Sequence, residues 1–202
     1  FNAEGDRLVA TLRNGNLEIL STKSGQTQFT AVGSYLRAEF AGSGGRLVAI
    51  APHTVKADAV EFHLRQLDGA TGKTLLTATN RFHVQTLAVS SDRRLVALGG
   101  SDHAVHLFDA DTLREQPGFR AHDSDIGALT FHPTQPILAT ASADGSVKVW
   151  AHRTGKLLDY FLGLAGNPVT LSFSPNGRLL MVDGQERTTR VYDVAHVTAA
   201  GP

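Results

Sequence analysis

The sequence predicts an all-β chain built from one repeated antiparallel sheet, and three observations carry that prediction. Residues 120–152, RAHDSDIGALTFHPTQPILATASADGSVKVWAH, place apolar runs at 126–131, 137–142 and 147–150. Between the runs stand a Pro-marked turn at 132–136 and Asp144-Gly145, a two-residue hairpin pair. The pattern recurs, since Leu95, Ile137 and Leu179 open equivalent strands 42 residues apart, and Phe108, Trp150 and Tyr192 close the next strand at the same interval. The phrase Arg-Leu-Val-Ala also stands at 7–10, 46–49 and 94–97. A fixed period in the forties, with several strands per unit, marks a β-propeller rather than a sandwich.

The elements follow in order. Phe40, Val89, Phe131 and Phe173 end the first strands of later units, and Phe1 fits as the last residue of a first strand whose body is missing. Unit one then supplies 7–12, the Asn14-Gly15 turn and 17–20. Unit two supplies 35–40, 47–51 and 60–64, with 52–59 expected as a protruding loop. Unit three carries 84–89, 95–98 and 105–108, unit four is the stretch quoted above, and unit five carries 169–173, 179–182 and 189–194. Outer fourth strands are expected at 28–32, 75–80, 117–121 and 157–162, half-exposed and mixed in pattern. Residues 195–202 make a poor fourth strand for unit five. The units therefore run at about 1–26, 27–74, 75–115, 116–158 and 159–202. Inner strands are covered on both faces and read apolar throughout, as in Leu95-Val-Ala-Leu and Leu179-Leu-Met-Val. Small residues such as Gly99, Gly100, Ala139 and Ala141 let sheets approach near the axis.

These residues make the chain resemble the WD-repeat β-propeller family. In that family a His ends the loop leading into a unit, and a Trp closes the third strand a little under thirty residues later; His122 and Trp150 stand 28 apart. The usual Gly before the His is Ala121 here and the usual Asp after the Trp is Ala151, although Asp109 and Asp193 keep that Asp in the neighbouring units. The resemblance implies about five four-stranded blades, part of a larger seven-bladed propeller. This chain is then an open arc, its remaining blades supplied by missing sequence or replaced by self-association.

The resemblance also implies a buried hydrogen-bond chain of His122, Thr140, Asp144 and Trp150, with Ser142 as the alternative hydroxyl. Only unit four carries the full set. Unit three has Asn80, Leu98, Asp102 and Phe108 at the matching places, unit five has Leu164, Val182, Glu186 and Tyr192, and both must rely on packing. A His, a hydroxyl and an Asp invite a hydrolase reading. An indole donor at one end and a turn-bound carboxylate at the other consume the groups that catalysis needs free, so the set reads as structural.

Composition excludes several classes. Lys+Arg and Asp+Glu balance at 19 each, which points away from nucleic acid and from an anionic membrane surface. Without cysteine there is no disulfide framework, thiol nucleophile or thiolate metal site. No apolar run reaches the ~18–20 residues that span a bilayer. Gly72-Lys73-Thr74 lacks the upstream glycine of a phosphate loop, because Leu67 stands there, and it should open a strand rather than a helix. His103 and His106 flank a hairpin and would point to opposite faces if both lie in the strand, and His53, His63, His83, His132, His152 and His196 are scattered without ligand spacing, so neither a metal nor any other cofactor is expected.

The function expected is a non-catalytic interaction module whose partners are other proteins or peptides. In such propellers the binding rim commonly carries the lead-in loops and the hairpins between second and third strands. By that mapping it displays Arg81, His83, Asp102, His103, Asp123, Asp125, Glu186 and Arg187, whose mixed signs suit specific polar contacts. Two other classes stand against it. One is the regulatory propeller of a larger kinase, NTPase or protease. The other is an enzyme with a small-molecule site in the axial channel, where the first strands offer Glu39 as their lone acid.

Overall fold

Turn chemistry sets where each sheet folds back. Gly15 and Gly145 sit in the left-handed region, at φ 82° and 84°, but Asn14 and Asp144 do not, so the turns are longer than the two-residue hairpins expected, each closed by the Gly N–H donating to the carbonyl of Leu12 or Ser142. The computed structural model describes residues 1–56, 59–164, 166–185 and 189–198, and every regular element among them is a β-strand. Five antiparallel sheets follow one another along the chain. The first holds β1 (Arg7–Thr11), β2 (Leu17–Ser21) and β3 (Thr27–Ala31), and the second β4 (Arg37–Phe40), β5 (Leu47–Lys56), β6 (Ala59–Leu67) and β7 (Thr74–Asn80). The third holds β8 (Val84–Val89), β9 (Leu95–Gly100), β10 (Ala104–Asp109) and β11 (Glu115–Arg120). The fourth holds β12 (Ile126–Phe131), β13 (Ile137–Ser142), β14 (Ser146–Ala151) and β15 (Lys156–Leu162). The fifth holds β16 (Pro168–Phe173), β17 (Leu179–Gly184) and β18 (Thr189–Asp193).

The sheets are the blades of a propeller. Inner strands pack in sequence order, β1 on β4, β4 on β8, β8 on β12 and β12 on β16, and among the described residues no packing of similar extent joins β16 back to β1. The sandwiched fourth blade shows what this burial does. All six residues of β13 are buried, whereas the outer strand β15 alternates between half-buried and exposed. Each fully buried aliphatic side chain contributes roughly 1.5–3 kcal/mol, so the two-sided inner strands hold most of the stability. The fifth blade is covered on one face only. Leu180 and Val182 are fully buried against blade four, while Leu179 and Val191, on the opposite face by register, are 40% and 57% exposed.

Most strands lie within two residues of the spans read from the sequence. Unit two departs from them. Residues expected as a loop at 52–59 instead continue β5 to Lys56 and begin β6 at Ala59, a hairpin whose tip lies outside the described residues. Pro52 is tolerated there because β4 pairs with β5 no further than Ile50, so nothing beside Pro52 calls for an N–H. The sequence units and the sheets are also staggered by one strand. β3, in the second unit by sequence, is hydrogen-bonded to β2 of the first.

Candidate functional site

The lead-in loops and the hairpins between second and third strands emerge at the same end of each blade. In blade four their geometry is set by a buried polar chain. The indole Nε1–H of Trp150 donates to the Thr140 hydroxyl at 2.8 Å, His122 Nε2 lies 2.7 Å from that hydroxyl, and His122 Nδ1 lies 2.8 Å from Asp144 Oδ2. The two ends fix the proton positions. Thr140 accepts from the indole and so donates to Nε2, which leaves the proton of a neutral His122 on Nδ1, facing the carboxylate.

The charges agree with that assignment. Burial pushes His122 below the ordinary histidine range, its contact with Asp144 only partly opposing this. Burial pushes the Asp144 carboxyl up, but donors from Ser146, the Asp123 N–H and His122 outweigh it and bring it down to about 2. Ser146, missed in the sequence, donates to Asp144 Oδ1 at 2.6 Å and lies 3.1 Å from His122 Nδ1. Its position directly after Asp144-Gly145 was the available signal. Ser142 takes a different part, donating to the Ser124 carbonyl at 3.1 Å and accepting from the Asp144 N–H. The histidine, the Thr140 and Ser146 hydroxyls and the carboxylate are thus joined in one hydrogen-bond network that holds the hairpin.

Above this frame stand six of the expected rim residues, from blades three and four. The His103 carbonyl accepts from the N–H groups of Ala121 and His122, which ties the blade-three hairpin to the blade-four lead-in. His103 holds a φ of 66°, a conformation that favours glycine, so the turn keeps a side chain at some conformational cost. Its Nε2 lies 3.7 Å from Asp125 Oδ1, and Asp125 Oδ2 accepts from Gln85 Nε2 at 2.6 Å. Asp102 Oδ2 lies 2.6 Å from His106 Nε2, and Asp123 is exposed with Arg120 at 3.6 Å. His83 is exposed, edge-on to Phe62, and Arg81 is exposed on the same lead-in loop. Glu186 and Arg187 lie outside the described residues.

Gln85 and His106 belong to this surface and were missed. Gln85 was legible as the one amide in the largely apolar inner strand Val84–Val89. His106 is stacked on Phe82 and held between Asp102 and Glu115, on opposite ring nitrogens. Burial lowers its pKa, but these two carboxylates outweigh that and raise it. Carboxylates on opposite sides of one ring cannot converge on a metal ion. Among the described residues no group of three candidate ligands is close enough to hold one.

Gly100 closes the same region. A Cβ there would run into the carbonyl of His83, the group that accepts from the Ser101 N–H. Gly100→Ala is therefore expected to cost about 1–3 kcal/mol in a denaturant melt, and to loosen the lead-in loop first. Hydrogen exchange at residues 81–85 reads that directly.

Comparison with known proteins agrees with this geometry. The family described as WD domain, G-beta repeat, matches residues 113–151, the span that contains His122, Thr140, Asp144 and Trp150. The chain is 29% identical over 119 residues to a p21-activated protein kinase-interacting protein 1-like of Danio rerio, covering 58% of this chain and 32% of that protein. It is 36% identical over 89 residues to the target of rapamycin complex subunit wat1 of Schizosaccharomyces pombe, covering 43% and 27%. It is 40% identical over 72 residues to the human WD repeat and HMG-box DNA-binding protein 1, covering 36% and 6%. In each case the match spans less than a third of the relative's length. With its 42-residue period and five successive antiparallel blades, the chain is a β-propeller that carries a WD domain, G-beta repeat, over residues 113–151.

Proposed function

We propose that the chain is a non-catalytic protein-interaction scaffold that presents the blade-three and blade-four rim to a partner protein or peptide. One observation carries the reading. The only His-hydroxyl-carboxylate set among the described residues is spent on holding a hairpin, whereas Asp102, His103, Asp123 and Asp125 stand on the loops that this hairpin and its neighbours position. The names of two relatives, a kinase-interacting protein and a complex subunit, support partners of the protein class. The rim places acids beside Arg120, His103 and His106, which suits specific polar contacts.

The test replaces Asp102, Asp123 and Asp125 together by Asn. Asp102 and Asp123 are exposed and Asp125 is half-buried, and asparagine keeps a side-chain acceptor for His106 and Gln85; surface charges contribute at most about 1 kcal/mol each, so the melting curve should stay close to the parent's. Affinity for the strongest-binding protein retained from cells that make this chain should fall by about tenfold or more. Unchanged affinity would contradict the reading. So would a hydrolytic or redox activity that survives purification and is abolished by changing one of these residues.

A further inference from the structure

The opposite end of blades three and four carries a second surface. The turns 90–94, 109–114 and 152–155 all lie there, because antiparallel strands put these connections away from the rim. Two cavities of about 230 and 460 Å³ open between the blades at this end, and they share Asp92, Leu95, His152 and Arg153. Leu107, Pro117, Phe131 and Pro136 give the joint cleft apolar walls.

Its charged groups are unequally occupied. Asp92 accepts from the Ser90 hydroxyl at 2.6 Å and the Arg94 N–H at 3.1 Å. Asp109 accepts from the N–H and hydroxyl of Thr112 at 2.8 and 2.7 Å and from the Asp111 N–H at 3.2 Å. Both carboxylates are therefore bound into their own turns. The guanidinium groups of Arg94 and Arg153 are exposed, and neither makes a hydrogen bond or close ion pair among the described residues.

His152 supplies an independent observation. Its side chain is buried edge-on against Phe131, only 7% exposed, and its Nδ1 has no hydrogen-bond partner. An orphaned buried N–H is rarer than an under-satisfied acceptor, so the proton of the neutral ring belongs on Nε2. That nitrogen is the one left accessible where the ring lines the cleft, and it too makes no hydrogen bond within the chain. Two unpaired guanidiniums and one unspent imidazole donor, set in apolar walls, are complementary to an anion carried on an apolar peptide.

We propose that this cleft binds an acidic side chain, a carboxylate or a phosphoryl group, presented by a proline- or leucine-flanked segment of a partner protein. Arg94 and Arg153 supply the charge and His152 a directed donor. In the free protein burial first, and then the Arg153 charge, hold His152 below its ordinary pKa, while Asp92 partly opposes them. An anion seated beside the ring reverses that balance. The surface is separate from the rim and does not depend on the rim's role.

The experiment uses the whole chain and three synthetic peptides alike except at the centre, Leu-Pro-X-Leu with X phosphoserine, glutamate or serine, together with inorganic phosphate. Calorimetry should show the two acidic peptides binding about tenfold or more tighter than the serine peptide. The double variant Arg94→Gln, Arg153→Gln should lose about tenfold or more of that affinity, while the Asp102/Asp123/Asp125 triple variant binds them as the parent does. The His152 ring protons, followed by NMR, should titrate at higher pH with the phosphoserine peptide bound. The proposal is overturned if the serine peptide binds equally well, if the double variant binds like the parent, or if the His152 titration does not move. It is equally overturned if inorganic phosphate binds as tightly as the peptides, since the peptide walls then contribute nothing.

Discussion

Trp150→Ala is expected to cost about 3–5 kcal/mol, as a large-to-small change in a core position. The indole packs on Phe119 of blade three at 5.0 Å between ring centroids, and its N–H is the donor that begins the polar chain. Removal therefore opens a cavity between two blades and also upsets the donor order from Thr140 to His122. Trp150→Phe separates these effects, keeping most of the ring and losing the donor, and should cost about 1–2 kcal/mol. Asp144→Ala strands His122 Nδ1–H, the Ser146 hydroxyl and the Asp123 N–H, and should cost about 1–3 kcal/mol. Against a typical total of about 5–15 kcal/mol, each change is large enough to read in a denaturant melt. Exchange protection should fall first in β13 and β14. Melts within error of the parent's for both alanine variants would remove the chain from its place in the stability of blade four.

Glu39→Gln is expected to stabilise the protein at high pH and to do little at low pH. Glu39 lies on β4 beside a cavity of about 390 Å³, lined also by Val9, Val89 and Arg93. Burial raises its carboxyl from 4.5 to about 7, against the Val89 N–H and the charges of Arg37 and Arg93, which pull it down. The folded state thus binds more protons than the unfolded chain between those two values. Its contribution to stability is fully present below about pH 4.5 and is lost as pH rises through about 7. At pH 8 the ionised carboxylate should cost roughly 2–3 kcal/mol relative to the amide, which keeps the acceptor for the Val89 N–H. Melts of parent and variant at pH 4.5 and pH 8 check this. A difference that does not grow with pH would show that Glu39 ionises without cost.

The blades were legible because a propeller writes its period into the chain. Ile137 and Leu179 open β13 and β17 and Trp150 and Tyr192 close the strands after them, so one motif locates its copies. The polar chain of unit four was legible through the family resemblance, and the structure brings its four residues within hydrogen-bond distance of one another. The outer boundaries were less legible. Pro52 normally argues against a strand, and only the limit of β4 pairing at Ile50 explains why β5 continues through it. Outer strands are half exposed, so their pattern carries little hydrophobic signal. Pro117 sits in β11 at a bulge opposite β10, on the free edge where an absent N–H is harmless.

Burial of single polar residues was the hardest thing to read. His132 and His152 lie in turns and look like solvated turn histidines, yet both are buried at the seams between blades. His132 accepts from the Thr134 and Gln135 N–H groups and meets Phe173 of blade five edge-on. Nothing local in the sequence separates these from His83, which is exposed, because the burying groups come from the neighbouring blade. Rim residues share that difficulty. His103 and Asp125 are 22 positions apart, and the hydrogen bonds from Ala121 and His122 to the His103 carbonyl help to bring their loops together.

We propose that His122, Thr140 and Asp144 hold a blade together and perform no chemistry. The nitrogen-15 resonances of the His122 ring, followed from pH 8 downward, test it most directly. The account predicts a neutral ring protonated on Nδ1 that stays neutral below the ordinary histidine value of 6.5, with the Trp150 indole proton slow to exchange. A ring that titrates freely at 6.5, beside an indole proton exchanging at the solvent rate, would contradict it.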